Sequence, residues 1–106
     1  MNINELKMWA EEHSIPTRIV DAFKKLLVNY KADDPEEYAE VMKDVDIENL
    51  IYHVHTISIN LGNWPRCDYN TVSASMKVYY NKKHIANYKA LYLFSGEPED
   101  DFVNFL

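Results

Sequence analysis

Apolar residues follow a helical period up to about residue 62 and alternate beyond it. Leu6, Trp9, Ala10 and His13 fall on one side of a first helix, which Asn2 or Asn4 can cap. Proline disfavours helical backbone in the residue before it, so Ser14-Ile15-Pro16 ends that helix. A second helix opens at Thr17, with Ile19, Phe23, Leu26, Leu27 and Tyr30 as its stripe and Val20 alongside. A third begins at Asp33 or Asp34. Pro35 takes the first helical position, and Glu36 and Glu37 suit the positive end of the helix dipole.

Residues 47–61 fit two patterns. As a helix, Asp46 caps the start, Ile47, Leu50, Ile51, Val54, Ile57 and Leu61 share one side, and Gly62 supplies the stop. As a strand, residues 54–61 are rich in β-branched side chains and alternate fairly well. The stripe persists for several turns between two end signals, and the expectation is a fourth helix.

Beyond Gly62, Val72, Ala74, Met76, Val78 and Tyr80 alternate with polar neighbours, as in a half-buried strand. Asn81-Lys82-Lys83-His84 forms a polar connection, and a second strand runs from Ile85 to Phe94. Ser95-Gly96-Glu97-Pro98 turns the chain, and residues 101–106 form a short helix or an edge strand. The expected fold class is α+β: about four N-terminal helices packed on a C-terminal antiparallel β-hairpin. One domain spans residues 1–106, with a helical part at 1–62 and the hairpin and acidic tail at 63–106.

Composition narrows the chemistry. A chain of 106 residues, 47% apolar, buries one core but has no room for a TIM barrel or a two-half dinucleotide fold. Two glycines leave no phosphate-cradling loop. A single cysteine, Cys67, permits neither an internal disulfide nor a thiolate zinc site, and nothing around it suggests an oxyanion turn. The first residues lack a basic start and an apolar stretch, so the expected compartment is the cytoplasm, with no membrane contact. His53 and His55 would share a side on a strand but not on a helix, and no spacing matches a closed metal site. No metal, no cofactor and no enzymatic activity are expected. Trp64, beside Pro65, is expected to plug the junction between helices and hairpin.

The net charge of −6 is a remainder of unlike blocks. Residues 1–50 hold 12 acids and 6 bases, residues 51–96 hold 5 bases and only Asp68, and residues 97–106 hold four acids and no base. Carboxylates at Glu97, Glu99, Asp100 and Asp101 beside Phe102 could steer and anchor a basic protein partner. The plainer reading is a solvated turn capping a last helix. Tyr79 and Tyr88 on the hairpin, as exposed aromatics, would widen such an interface. Beside Lys77, Lys82, Lys83 and Lys89 they could instead stack nucleic-acid bases, and in the plainest case they are cross-strand pairs.

Residues 10–20 resemble a helix-turn-helix, with Ser14 where that pattern usually has glycine and His13 at a usually apolar position. The resemblance implies a DNA-binding regulator reading through Thr17, Arg18, Asp21 and Lys24. Asp21 and the acidic surroundings weigh against phosphate contact, and against nucleic acid as the partner. Small size, net acidity, abundant tyrosine and the acidic end together resemble the small acidic immunity proteins and antitoxins that neutralise a bacterial toxin, often a nuclease, by covering its active or substrate-binding surface. That profile implies a non-catalytic inhibitor whose partner is a basic protein. A phage-encoded inhibitor of a host nucleic-acid enzyme would share it.

Overall fold

The computed structural model describes residues 1–106. Three helices, α1 (Ile3–Glu12), α2 (Ile15–Asp33) and α3 (Pro35–Val41), precede four strands, β1 (Ile51–Gly62), β2 (Tyr69–Tyr80), β3 (Lys83–Leu93) and β4 (Pro98–Phe105). The strands form one antiparallel sheet in the order β1-β2-β3-β4, each paired with its neighbour in sequence. The fold is α+β, but the expected four helices on a hairpin are three helices on a four-stranded sheet.

The fourth helix does not exist. Asp46 does cap, accepting from the Glu48 amide at 3.0 Å, but the cap serves only a 3₁₀ turn at Ile47–Asn49. Leu50 is already extended, and β1 follows. A register shift between Val54 and Thr56 explains the misleading pattern. His55 is an extra residue there, so the inward positions run Tyr52, Val54, then Ile57 and Ile59. A bulge converts the two-residue spacing of a strand into one three-residue step, which reads as a helical turn. The helical part therefore ends before residue 51, and the acidic tail is an edge strand.

Local chemistry sets the other elements. Asn2 caps α1 through the Glu5 amide, and Asp34 caps α3 through the Glu37 amide with Pro35 next in line. Asn81 and Lys82, both at positive φ, make the tight turn between Tyr80 and Lys83, so the loop is shorter than the four residues expected.

One face of the sheet carries the core. Ile15, Ile19, Phe23 and Leu27 of α2 pack on Val72, Ala74, Met76, Val78, Ala86, Tyr88 and Ala90. The three alanines on β2 and β3 let the helix approach, and Phe23 enters edge-on against Tyr88, ring centroids 5.4 Å apart. Trp64 does not plug the junction, since it is 76% exposed on the β1–β2 loop. Trp9 does so instead. It is buried, and its indole Nε1 donates to the Phe94 carbonyl at 2.8 Å.

The β3–β4 corner is tied to the helices from below. The Arg18 guanidinium donates to the Gly96 carbonyl at 2.8 Å and to the His13 carbonyl at 3.3 Å, and lies 4.9 Å from the Tyr92 ring centroid. Gly96 sits at φ +91°, and a Cβ there would strike the His13 ring. Glycine answers both constraints.

Phe23→Ala empties the centre of the α2 seat and should lower stability by about 3–5 kcal/mol, measured by urea unfolding. A loss below about 1 kcal/mol would show that α2 is not the element holding the sheet.

Candidate functional site

The four tail carboxylates belong to β4 and the turn before it, and β4 has no strand on its outer side. Antiparallel pairing uses only alternate main-chain groups of an edge strand, so the others face outward. On the open side of the sheet β4 presents Asp100, paired with Leu91, and Phe102, paired with Lys89. Phe102 is half-exposed, with the Lys89 ammonium 5.5 Å from its ring centroid. On the helix side it presents Asp101, Val103 and Phe105.

The acids have different partners. Glu97 and Asp100 are exposed, and neither is ion-paired, since Arg66–Asp68 at 3.8 Å is the chain's one ion pair. Glu99 falls at the register shift opposite Leu91 and Tyr92 and accepts from the Tyr69 hydroxyl at 3.1 Å. Asp101 accepts from the Tyr88 hydroxyl at 2.7 Å and so helps hold the fold.

Tyr88 is the clearest displacement from the sequence reading. It is 2% exposed, and its inward position on β3 puts the ring under α2. Tyr79 lies half-buried on the opposite face, its ring tilted by 32° against His84 with centroids 5.2 Å apart. The two tyrosines are not one surface, and only Tyr79 faces solvent. His53 and His55 are on a strand, with ring centroids 6.3 Å apart, and no three acidic, histidine or cysteine side chains converge in a metal-binding group.

A further feature lies beside β4. Because α2 crosses the middle of the sheet, it leaves a groove of about 680 Å³ along β4, lined by Ala22, Lys25, Tyr30, Tyr88, Val103 and Phe105 among others. The groove has an apolar floor and one cation, Lys25, on its wall. Only the apolar spacing of Val103 and Phe105, which fits a strand, foreshadows it.

The helix-turn-helix stretch keeps its local shape. Ser14 adopts φ 52° and ψ 42°, the left-handed conformation for which that pattern usually has glycine. Thr17, Asp21 and Lys24 are exposed, but Arg18 is consumed by Gly96, His13 and Tyr92.

Burial shifts the tyrosines. Desolvation raises the Tyr88 pKa well above the ordinary phenol value, and the hydrogen bond and charge of Asp101 raise it further. Burial also raises Tyr92, with Arg18 partly opposing, and raises Tyr52. Tyr69 is raised by desolvation and then by its bond to Glu99.

No family model, curated protein or solved structure matches the chain.

The tyrosine shifts fix a pH dependence. Up to about pH 10 both folded and unfolded chains keep these protons. Above it the unfolded chain releases protons that the folded one retains, so stability falls as pH rises. Urea midpoints should therefore decline above about pH 10, and less steeply in Tyr88→Phe. That variant should also lose about 1 kcal/mol at neutral pH through the lost bond to the solvent-facing Asp101. Identical alkaline slopes would refute the role given to the buried hydroxyl.

Proposed function

We propose that this chain is a non-catalytic inhibitor that takes an extended, basic segment of a protein partner as an added strand along β4, as a toxin-immunity protein would. The supporting observation is the open β4 edge itself, flanked by half-exposed Phe102 and by the carboxylates Glu97 and Asp100, neither in an ion pair, although Asp100 accepts from the Asp101 amide at 2.8 Å. Strand addition satisfies the outward main-chain groups, and side chains supply the selectivity. Alternate side chains of the incoming strand would meet Asp100 and Phe102 on one face and the α2–β4 groove on the other. A lysine or arginine in that strand finds carboxylates that are not already held in an ion pair. A toxin nuclease fits, because phosphate-binding surfaces are basic and a carboxylate edge opposes them. A host nucleic-acid enzyme blocked by a phage protein would offer the same chemistry.

The DNA-regulator reading finds less support. Its expected reading set of Thr17, Arg18, Asp21 and Lys24 retains one exposed cation, Lys24, which lies on the same helix as Asp21 and 5.9 Å from the Tyr52 ring centroid.

The partner is sought first in the protein encoded beside this one, by co-expression and titration. Glu97→Lys with Asp100→Lys should slow association about tenfold or more at low salt, with the deficit narrowing as salt rises. Binding unchanged by this charge reversal, in a variant with native circular dichroism, would overturn the β4 assignment.

A further inference from the structure

The two edges of the sheet are built differently. β4 carries Pro98, an irregularity at Glu99 and the acids Asp100 and Asp101, the features that keep an edge from pairing at random. β1 carries none of these apart from the bulge at His55. Its twelve residues, Ile51–Gly62, include no lysine, arginine, aspartate, glutamate or proline. Beyond the bulge, Thr56-Ile57-Ser58-Ile59-Asn60-Leu61 is a regular, β-branched, uncharged run with one side of its backbone open. Such a segment pairs readily with its own kind.

We propose that β1 is the self-association edge, at which two copies pair antiparallel along Thr56–Leu61 and join their sheets into one. Three observations favour a second copy over a foreign strand. An edge without charge has no electrostatic means of selecting another protein, whereas a two-fold contact is self-complementary by symmetry. The chain carries a net charge of −6, and the uncharged β1 edge is where two copies meet with least repulsion. Apolar surface also continues from the strand. Leu61 is 54% exposed and Ile3 is 85% exposed, and Ile3, Leu6, Val54 and Ile57 line a groove of about 590 Å³ between α1 and β1, whose lining also carries one charge of each sign, Lys7 and Glu11. Pairing of this kind closes, because it consumes both β1 edges and leaves only the guarded β4 edges outermost. It also keeps β4 free, so the pair would carry two partner-binding edges.

Sedimentation of the full chain over a range of concentrations is the test. A species at twice the 12.5 kDa chain mass should accumulate with concentration. Thr56→Lys with Asn60→Lys places two cations on exposed positions of the strand and should abolish the dimer while leaving circular dichroism unchanged. Asp100→Lys, on the other edge, should leave the dimer intact. In the unsubstituted protein, amides of Thr56–Leu61 should exchange more slowly as concentration rises, a readout independent of any variant. A monomer at every concentration into the high micromolar range overturns the proposal and leaves β1 to a strand of another protein. A dimer that survives the lysine pair in a folded variant, whether or not Asp100→Lys breaks it, overturns it too.

Discussion

The hold of Arg18 on the Gly96 carbonyl is the contact on which the open β4 edge depends. One guanidinium joins the start of α2 to the turn that launches β4, while its carbon lies 4.9 Å from the Tyr92 ring centroid and its second bond goes to His13. Trp9 adds a parallel tie to Phe94. Together they bring the α1–α2 turn under the β3–β4 turn, and the Gly96 backbone can come that close only without a Cβ. From that corner β4 runs out beside β3, fastened again where Tyr88 reaches Asp101. The edge is open, but it is not loose.

The sheet separates two kinds of surface. The helices and β4 bear most of the acids, while the open face bears Lys77 and Lys89 on a floor of small hydroxyls, among them the Ser58–Ser73 pair at 2.6 Å. Almost no acid is held in an ion pair, so the carboxylates of the acidic side are offset only by cations at longer range. In this account the charged edge selects a partner and the neutral edge selects a copy of the chain. Both uses follow from one constraint: an open sheet has two edges, and each must be guarded or covered.

How much of this was legible in the sequence depended on bulges and turns. The three helices were readable from their caps and stripes, because Pro35 and the α2 apolar run act locally. The β2 and β3 strands were readable from clean alternation. β1 was not, because the extra residue at His55 disguised a strand as a helix, and the decisive pairing partner, β2, lies beyond an intervening loop. The burial of Tyr88 is hidden for a related reason. Alternation puts it on one face with Tyr92, but only the position of α2 decides which face is covered. The acids and Phe102 of the tail were visible as a cluster. Their division into exposed Glu97 and Asp100, hydroxyl-bound Glu99 and fold-bound Asp101 required the register.

The most direct test of the β4 assignment is hydrogen exchange of the main chain, measured with and without the proposed protein partner. An added strand protects the amides of β4 that face outward in the free protein, and leaves α3 and the open face of the sheet unchanged. Protection confined to α2 and α3, or to Lys77 and its neighbours, with β4 exchanging as before, would contradict the account.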